Sequence, residues 1–459
     1  MGEFLDEVKI NIIKRMEYCV KKVSIHNLGC KVNSYEAESM EQLLVEAGYK
    51  IVAFDSDSIA DIYIINTCSV TNIADRKSRQ MLHKAKKKNP NAIIVAAGCY
   101  VNADVKKAVE DNTVDIVLGN NKKINIVEAL EEYFKNHKNN VNVVDMGKTQ
   151  AYENLHIEKT TQHTRAYIKI QDGCNQFCSY CIIPYTRGRI RSRSMDNIYR
   201  EVCKVVESGV KEIVLTGIHL SSYGVENHTG TLLDVIVRLS DIEGLKRIRL
   251  GSLEPSIITD EFVSVISKIP KVCPHFHLSL QSGCDTVLKY MNRKYTTDEY
   301  YEKCCILRKY YCNPAITTDV IVGFPKETDE NFATTCAFLK KVNFYEMHIF
   351  KFSRRKGTIA DKMEGQIDEK VKIRRSNELI ELGSEMSNDY RKCFVGKEKE
   401  VLIEEFVCID NKQYAVGYTD NYIKVHLFVS NENILKVNDI VNVVLGAYNE
   451  NNGMMEAEI

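Results

Sequence analysis

Three cysteines stand within eight residues of one another in the segment DGCNQFCSYCIIPYTRGRIRSR, residues 172–193. Cys174, Cys178 and Cys181 form a C-x3-C-x2-C pattern directly after AYIKIQ, a run that predicts a β-strand. Four-iron clusters are usually held by four thiolates, so three thiolates leave one iron open to another ligand. A zinc site usually pairs C-x2-C units, and no matching second pair stands nearby. The spacing favours an iron–sulfur cluster over zinc and over cysteines that simply pack.

A second set of three cysteines is spread along the first hundred residues. Cys30, Cys68 and Cys99 match no short metal-binding motif, but each follows a predicted strand: VSIHNLG, IYIINT and IIVAAG. The carboxyl ends of parallel strands share one edge of a sheet, so these side chains are expected to converge. Gly29 and Gly98 would let the backbone approach a cluster closely. Buried cysteines also serve as small apolar residues, but three at strand ends favour a metal site.

Strand patterns and helix patterns alternate in the part of the chain that contains Cys30, Cys68 and Cys99. Five predicted strands with helical segments between them indicate a doubly wound α/β domain with a parallel sheet over residues 21–135. Residues 1–20 are predicted to be an N-terminal extension, and residues 136–163, which are largely polar, a linker.

The alternation resumes over residues 164–392, where six strand patterns separated by helical stretches predict a partial (β/α)6 barrel. Residues 393–459 have a different sequence pattern, with short predicted strands, polar turns and no helical periodicity. This last segment is predicted to be a small antiparallel β-barrel.

Bulk composition narrows the class of protein. The chain has 459 residues, 16 cysteines and a formal net charge of zero. A long chain without a signal-peptide pattern is expected to keep its cysteines reduced, which favours a metalloprotein over a disulfide scaffold. No apolar run is long enough for a transmembrane helix. We therefore expect a cytoplasmic protein with no membrane association.

The motif CNQFCSYC, with Tyr180 before its last cysteine, resembles the signature of radical S-adenosylmethionine (SAM) enzymes. The resemblance implies a [4Fe–4S] cluster on Cys174, Cys178 and Cys181 that cleaves SAM to a 5′-deoxyadenosyl radical. LGCKVNSYE, NTCSV and AGCY, ahead of such a core, resemble the methylthiotransferases. That family implies a second [4Fe–4S] cluster on Cys30, Cys68 and Cys99, whose open iron carries sulfur, and a C-terminal RNA-binding TRAM domain.

Residues that follow the other predicted barrel strands are candidates for binding SAM. They lie in LTGIHLSSYG, LSLQSG and DVIVGFPKET. A Gly-Pro turn after a strand is also ordinary turn chemistry. Together with the aromatic residue of the cysteine motif, the SAM-binding candidates are Tyr180, Thr216, Gly217, Gln281, Ser282 and Gly323.

Basic residues follow the radical-SAM cysteines at every second position. Arg187, Arg189, Arg191 and Arg193 are predicted to clamp RNA phosphates near the active edge, although a charge run can equally be a solvated surface. RKSRQMLHKAKKK, residues 76–88, is a further basic run for which both readings stay open. The last segment is acidic, with five lysines, no arginine and eleven acidic residues from position 396 onward. We expect any RNA contact there to use a local basic patch (Arg391, Lys392, Lys397, Lys399) or base stacking on Tyr414, Tyr418 or Tyr422.

The resemblance also bears on the substrate. Members of the family modify isopentenyladenosine or threonylcarbamoyladenosine beside the tRNA anticodon, or an aspartate of a ribosomal protein. NTCSVTNIADRKSRQ and GSLEPS resemble the threonylcarbamoyladenosine group, whereas the isopentenyl group more often has proline-histidine-proline where Leu253, Glu254 and Pro255 stand. The predicted reaction inserts sulfur at C2 of the purine and takes the methyl group from SAM, with no catalytic residue assigned beyond the clusters.

The predicted partners are a tRNA substrate, a flavodoxin- or ferredoxin-type reductant and a sulfur donor. Three alternatives stay open: an enzyme for isopentenyladenosine in tRNA, an enzyme for a ribosomal-protein aspartate, and a non-catalytic iron–sulfur protein that binds RNA.

Overall fold

The computed structural model describes residues 20–137, 139–148, 151–160, 164–228, 230–429 and 435–459. The predicted N-terminal extension, residues 1–20, lies outside this range except for its last residue. The chain divides into two compact units. The first comprises residues up to Ile157 together with the short segment Tyr185–Gly188, and the second comprises Glu158–Pro184 and Arg189–Ile459. Over the described residues, no helix is long and apolar enough to cross a membrane.

The first unit is built on a six-stranded parallel sheet with strand order β2-β1-β3-β4-β5-β6. Its strands are β1 (Lys22–Asn27), β2 (Lys50–Ile51), β3 (Ile62–Thr67), β4 (Ile93–Gly98), β5 (Ile116–Leu118) and β6 (Asn140–Asn142). Every residue of β3 is buried, as expected for a strand covered on both faces. The prediction of a doubly wound parallel sheet is confirmed, because the order of the first five strands is that of flavodoxin-like folds.

Helices connect these strands and cover the sheet. They are α1 (Lys31–Glu46), α2 (Asn72–Lys88), α3 (Cys99–Ala103), α4 (Val105–Val109) and α5 (Ile126–Asn136). The start of α2 is fixed by Thr71, whose hydroxyl accepts a hydrogen bond from the backbone NH of Ala74 at 3.1 Å. Two apolar clusters, which include Ile64 and Ile65 respectively, form the core of this unit.

Most of the segment predicted as a linker, residues 136–163, takes part in the first unit, which extends to Ile157, and its last residues belong to the second. It contributes β6 to the sheet edge, and it buries the side chains of Met146, Leu155 and Ile157. The hydroxyl of Tyr35 also donates a hydrogen bond to the carbonyl of Leu155 at 2.7 Å. This part of the chain therefore completes the sheet and covers α1.

The second unit contains the six predicted parallel strands. They are β7 (Arg165–Lys169), β10 (Glu212–Thr216), β11 (Arg247–Leu250), β12 (His275–His277), β13 (Ala315–Val322) and β14 (Glu346–Lys351). Two three-stranded sheets, β11-β10-β7 and β12-β13-β14, are joined through isolated parallel bridges such as Leu253 to Leu278. Two short strands, β8 (Gln171–Asp172) and β9 (Arg191–Ser192), pair beside them. The partial (β/α)6 barrel is confirmed.

Helices follow the barrel strands. They are α6 (Ile183–Thr186), α7 (Met195–Glu207), α8 (Leu232–Ser240), α9 (Asp260–Ile266), α10 (Asp285–Tyr290), α11 (Thr297–Tyr310), α12 (Asp329–Val342) and α13 (Glu369–Lys392). Capping boxes at Thr231, Thr296 and Thr328 start three of them.

The C-terminal segment forms a closed barrel in the order β15-β16-β17-β19-β18. The strands are β15 (Glu398–Ile409), β16 (Lys412–Thr419), β17 (Lys424–Phe428), β18 (Ile440–Asn449) and β19 (Met454–Glu458). The predicted antiparallel barrel is confirmed, with one parallel pairing between β17 and β19 where the barrel closes. Its core includes Val401, Val425 and Met455.

The small barrel packs against the beginnings of the large barrel's strands, within the same unit. Arg247 donates hydrogen bonds to the carbonyls of Tyr418 and Glu400 at 3.0 and 2.8 Å. Arg249 lies buried beside Glu212, with 2.8 Å between Nε and Oε1. These contacts close the end of the large barrel opposite the edge at which its strands finish.

Candidate active site

The three N-terminal cysteines lie at one edge of the first unit's sheet. Cys30 caps the N-terminus of α1 just after β1, Cys68 directly follows β3, and Cys99 directly follows β4. A Cβ placed on Gly29 would lie 3.1 Å from the Sγ of Cys68, so the backbone beside Cys30 touches that thiol. The three cysteines therefore stand at the same edge of the sheet, each just after a strand.

Two glycines beside these cysteines have backbone conformations that side chains rarely adopt. Gly29 has φ of +116° and Gly98 has φ of +95°. A Cβ on Gly29 would meet the Cβ of Cys68 at 2.9 Å, and one on Gly98 would meet the carbonyl oxygen of Thr67 at 2.9 Å. Both positions require glycine because of φ and because neighbouring strand ends approach so closely.

A buried polar frame holds the loops that carry these cysteines. The Asn33 amide donates to the carbonyls of Leu28 and Thr67 at 2.7 and 3.0 Å, which ties the end of β1 to the end of β3. The Asn120 amide lies 3.5 Å from the Sγ of Cys99 and donates to the carbonyl of Thr186 at 2.9 Å. The frame fixes where the thiols stand before any ligand is bound.

Arg187, one of the four arginines predicted to clamp RNA, belongs to this frame. Its guanidinium is fully buried and donates to Glu36 at 2.8 and 3.0 Å and to the Oδ1 of Asn33 at 2.7 Å. Glu36 also pairs with the buried ammonium of Lys123. The prediction of a phosphate contact is corrected for Arg187. Its guanidinium is buried and hydrogen-bonded to the carboxylate of Glu36, so it is not accessible to a phosphate.

The Cys68 thiol of this site is strongly desolvated. Burial raises the pKa of Cys68 to about 12, and the neighbouring Cys99 and Cys30 add to the rise, while the charge of Arg187 opposes it. Soft thiolates in such a group suit an iron–sulfur cluster, whose binding would displace the thiol protons.

The second group of cysteines lies in the second unit, in the loop after β7 and β8. The backbone NH of Cys181 donates to the carbonyl of Cys178 at 3.0 Å, which closes a turn between them. Phe177 has φ of +50°, which bends the chain between the first two cysteines. Burial raises the pKa of Cys174 to about 11 and of Cys181 to about 12, with Cys178 contributing to both. The loop thus presents three thiols together, as the motif predicts.

A cavity of about 140 Å³ opens onto these three cysteines. Tyr180 and Gln281, two of the predicted SAM-binding residues, line it. Gln281 has φ of +70°, and its backbone bridges to β13, where its NH donates to the carbonyl of Asp319 at 2.8 Å. The cavity therefore lies at the carboxyl ends of the barrel strands, beside a three-thiolate site.

The other four predicted SAM-binding residues are not among those that line this cavity. Thr216 ends β10, and Gly217 packs against Gln171, whose Oε1 would stand 2.9 Å from a Cβ on Gly217. Ser282 is buried and its hydroxyl faces Thr335 of α12 at 3.4 Å.

Gly323 has φ of +71°, and its NH donates to Glu327 at 3.0 Å in a tight turn. A Cβ on Gly323 would clash with the side chain of Lys372. In the described structure these four residues lie at the carboxyl ends of the barrel strands or in the turns that follow them.

A polar network in the same cavity was missed from the sequence. His219 Nε2 lies 2.7 Å from an oxygen of Glu254, and Gln176 donates to that same oxygen at 2.9 Å. Arg293 donates to the other oxygen of Glu254 at 3.2 Å and to the Sγ of Cys178 at 3.3 Å. His219 and Glu254 stand within motifs already noted, LTGIHLSSYG and GSLEPS, whereas nothing around Arg293 marks it out.

The network keeps Glu254 charged. Although desolvation favours the neutral carboxyl, the hydrogen bond with His219 and the charge of Arg293 outweigh it and hold the pKa of Glu254 below its ordinary value. The cavity thus offers a carboxylate, an imidazole and a guanidinium beside the thiols. Such groups suit a ligand that carries both an amine and hydroxyl or carboxylate groups.

The three remaining arginines of the predicted RNA clamp differ in exposure. Arg191 is buried at 3.4 Å from Asp172, and Arg193 is buried against Glu201. A phosphate contact is therefore corrected for both, for the same reason as for Arg187. Arg189 is exposed, with its guanidinium 4.5 Å from the centre of the Phe177 ring.

Aromatic residues of the small barrel also differ from expectation. Tyr418 and Tyr422 stack on each other at 4.8 Å, and the guanidinium of Arg165 lies 4.9 Å from each ring. His275 of β12 stacks on the same Tyr422 at 4.8 Å. Tyr414 packs on Phe428 within the barrel itself. Base stacking on Tyr422 is therefore corrected, because its ring stacks on both Tyr418 and His275, whereas Tyr418 is half-buried and stacks on Tyr422.

Comparison with known proteins agrees with this division into sites. Residues 22–119 match the model of "Uncharacterized protein family UPF0004", and residues 168–339 match that of the "Radical SAM superfamily". A protein of Bacillus subtilis named threonylcarbamoyladenosine tRNA methylthiotransferase MtaB is 40% identical over 433 residues, which are 94% of this chain and 95% of the relative. A protein of Thermodesulfovibrio yellowstonii named tRNA-2-methylthio-N(6)-dimethylallyladenosine synthase is 36% identical over 92% of this chain and 95% of its own.

Solved structures share the fold at much lower identity. The radical S-adenosylmethionine methyltransferase TsrM from Kitasatospora setae superposes with a TM-score of 0.52 at 12% identity, covering 72% of this chain and 73% of its own. The cobalamin-dependent radical enzyme OxsB gives 0.51 at 12% identity, over 80% of this chain and 62% of its own. The sequence relatives span nearly the whole length, and the chain belongs to the radical SAM methylthiotransferase family, whose members use SAM and two [4Fe–4S] clusters.

Proposed function

We propose that this enzyme is a tRNA methylthiotransferase that converts N6-threonylcarbamoyladenosine next to the anticodon into its 2-methylthio derivative. The observation that carries the proposal is the presence of two separate three-thiol sites, one at the sheet edge of the first unit and one at the barrel mouth of the second. One site alone would suffice for radical chemistry, so the second needs another task, and sulfur supply is the task that suits an open iron.

Each site has residues that suit its ligand. Cys174, Cys178 and Cys181 would hold the radical-generating cluster, and Cys30, Cys68 and Cys99 the auxiliary one. When bound, the first cluster and SAM supply a 5′-deoxyadenosyl radical, and the second cluster supplies sulfur. Tyr180 and Gln281 line the SAM cavity, and Glu254, His219 and Arg293 give it fixed charges.

This chain's own residues orient and shield rather than react. Arg293 donates to both Cys178 and Glu254, so it couples the position of a cluster ligand to that of a cavity wall. Tyr295 reinforces this wall, because its hydroxyl oxygen lies 2.7 Å from the carbonyl oxygens of both Ser279 and Leu280 and donates to one of them. Buried walls of this kind keep water from a reactive radical.

The substrate assignment rests on the relatives and on one short motif. The relative named for threonylcarbamoyladenosine is 40% identical, and the one named for dimethylallyladenosine is 36% identical. Glu254 of GSLEPS lines the cavity beside the second unit's cysteines and stands where the isopentenyl group more often has histidine. These observations favour threonylcarbamoyladenosine, and the dimethylallyl substrate is the second candidate because its enzymes align over nearly the same length.

The test uses the full chain, reconstituted anaerobically with iron and sulfide and given a flavodoxin- or ferredoxin-type reductant and a sulfur source. The substrates are tRNA pools that lack 2-methylthio groups but carry either threonylcarbamoyladenosine or dimethylallyladenosine. Nucleoside mass spectrometry is expected to show 2-methylthio product from the first pool alone. Product from only the second pool would move the assignment to dimethylallyladenosine.

Cysteine variants separate the two sites. Cys68→Ala is expected to retain SAM cleavage and lose the methylthio product, whereas Cys178→Ala is expected to lose both. Cys305→Ser, an exposed cysteine on α11, is the matched control and is expected to retain both. Product formation by Cys68→Ala at the wild-type rate would overturn the role given to the N-terminal site.

A further inference from the structure

Three adjacent parallel strands of the second unit bring two histidines and a carboxylate together. His277 ends β12, Asp319 lies in β13 and His348 lies in β14. Asp319 pairs directly with His348 across the two strands, and His277 pairs with Thr317, two residues before Asp319. One ligand atom from each of the three side chains lies within 4.8 Å of the others.

These side chains point away from the surrounding helices. On β13, the neighbouring Thr318 faces the helices, because its hydroxyl lies 3.5 Å from that of Tyr300 on α11. On β14, the neighbouring Met347 lies against Gly383 of α13. Side chains alternate along a strand, so Asp319 and His348 face the interior of the barrel.

The spacing between the first two ligands fits a metal ion. Zinc binds imidazole nitrogen and carboxylate oxygen at about 2.0–2.2 Å, so two such ligands at a tetrahedral angle stand about 3.4 Å apart. The Nε2 of His277 lies 3.3 Å from the Oδ2 of Asp319. His348 completes the set, since its ligand atom lies within 4.8 Å of the other two and its exposed ring is free to rotate toward them.

The orientation of His277 is already fixed as it is in metal sites. Its other ring nitrogen, Nδ1, lies 3.0 Å from the hydroxyl oxygen of Thr317. A metal-binding histidine almost always uses its second nitrogen in this way, which sets the ring orientation and leaves the first nitrogen free for the ion. The result is that Nε2 points toward Asp319.

An ion pair between His277 and Asp319 would explain those two residues without an ion. It would not account for His348, which takes no part in that ion pair. The His348 ring stacks on the His277 ring, with 5.8 Å between the ring centres and 28° between their planes. Two imidazoles held beside one carboxylate form the set that divalent transition metals bind in proteins. Burial decreases from His277 through Asp319 to His348, so an ion would be reached from the side of His348.

We propose that His277, Asp319 and His348 form a binding site for one divalent transition-metal ion. The site uses no cysteine and is independent of the clusters and of the substrate assignment. Three protein ligands leave at least one coordination position open, which suits water or an oxygen ligand such as a carboxylate. The ion is of the Zn²⁺, Fe²⁺ or Mn²⁺ class.

The test uses the cluster-loaded full chain, so that the cluster thiols are occupied. Mn²⁺ is the first probe, because the loss of its free EPR signal reports binding and because it has little affinity for the remaining thiols. The wild type is expected to bind one Mn²⁺ per chain, and Zn²⁺ is expected to displace it. His348→Ala and Asp319→Asn are each expected to weaken binding at least tenfold.

Phe350→Ala is the matched control, since Phe350 lies two residues after His348 on the same face of β14 and is exposed. It is expected to bind Mn²⁺ as the wild type does. His348 is exposed, so its replacement tests the site without emptying a core position. Absence of both Mn²⁺ and Zn²⁺ binding in the wild type, or unchanged binding in His348→Ala, would overturn the proposal and leave a plain ion pair.

Discussion

The guanidinium of Arg187 is held against the carboxylate of Glu36 by two hydrogen bonds, at 2.8 and 3.0 Å, in the interior of the first unit. Both side chains are almost completely buried. The short segment that contains Arg187 belongs to the first unit even though it follows the radical-SAM cysteines in sequence. Arg187 therefore follows the radical-SAM cysteine motif in sequence but belongs to the polar frame around the three N-terminal cysteines.

Replacement of Arg187 should therefore act on stability. Arg187→Ala removes a cationic partner of the buried Glu36, and breaking a buried pair costs about 3 kcal/mol. Urea unfolding of the full chain is expected to show this loss in the transition of the first unit. Arg189→Ala, two residues along and exposed, is the control and is expected to change stability by less than about 0.5 kcal/mol. Equal stability of the two variants would contradict this role.

Arg189 is the arginine of this run that is placed to contact RNA. Its exposed guanidinium rests on Phe177 and does not point into the interior. If it contacts a tRNA phosphate, Arg189→Ala lowers the slope of log affinity against log salt by about 1. Filter binding of tRNA from 50 to about 200 mM salt measures that slope. Arg189→Lys should restore most of it, and an unchanged slope in Arg189→Ala would remove the contact.

The contrast between these two arginines shows what the sequence could predict. Strand patterns and the glycines beside Cys30 and Cys99 depend on neighbouring residues, so the sheet, the barrel and both cysteine groups followed from local sequence. The partner of Arg187 is 151 residues away, and no local pattern connects the two. The sixth strand, Asn140–Asn142, was missed because its sequence is polar and it lies at an edge of the sheet.

The cavity beside Cys174, Cys178 and Cys181 shows the same limit. His219 and Glu254 are 35 residues apart, and Arg293 lies 39 residues beyond Glu254. Nothing in the local sequence distinguishes these three residues from other polar residues. They come together only because the barrel places three strand ends side by side. Strand-end motifs therefore located the cavity, whereas the charged groups inside it required the structure.

Arg293 is expected to be a positioning residue for the cavity. Arg293→Gln removes the charge that holds Glu254 and loses the contact with Cys178, so SAM cleavage should fall at least tenfold, about 1.4 kcal/mol in the barrier. Formation of 5′-deoxyadenosine measures the cleavage. Iron content should stay at the wild-type value, because no thiolate is removed. Arg293→Lys is expected to recover part of the rate, and a full rate in Arg293→Gln would refute the assignment.

Glu212 is expected to stabilise the junction between the two barrels in a pH-dependent way. Burial opposes its charge, but Arg249 and then Arg165 and Arg247 hold the pKa of Glu212 below its ordinary value of 4.5. A carboxyl with a lowered pKa contributes stability that is complete above the unfolded-state pKa and is lost as the pH falls through the folded-state value.

Glu212→Gln should therefore cost about 3 kcal/mol at pH 7, because it leaves buried guanidiniums without their carboxylate. The difference in unfolding free energy between wild type and variant should shrink as the pH falls below 4.5. Urea unfolding followed from pH 7 downward measures both quantities. Glu398→Gln, an exposed carboxyl on β15, is the control and should show no such trend. A difference that grows toward low pH would contradict the argument.

Two glycines of the first unit offer a comparison that isolates the N-terminal cysteine site. Gly29 and Gly48 both have positive φ, +116° and +88°, so alanine is strained at each by about 1–2 kcal/mol. A Cβ on Gly48 meets open space, whereas one on Gly29 would lie 2.9 Å from the Cβ of Cys68. Gly29→Ala must therefore displace the strand end that carries a cluster thiol.

After anaerobic reconstitution, we expect Gly29→Ala to hold about four irons, and Gly48→Ala to hold about eight, as two [4Fe–4S] clusters require. SAM cleavage should persist in both variants, and about eight irons in Gly29→Ala would show that the close contact between Gly29 and Cys68 is not needed for the N-terminal cluster.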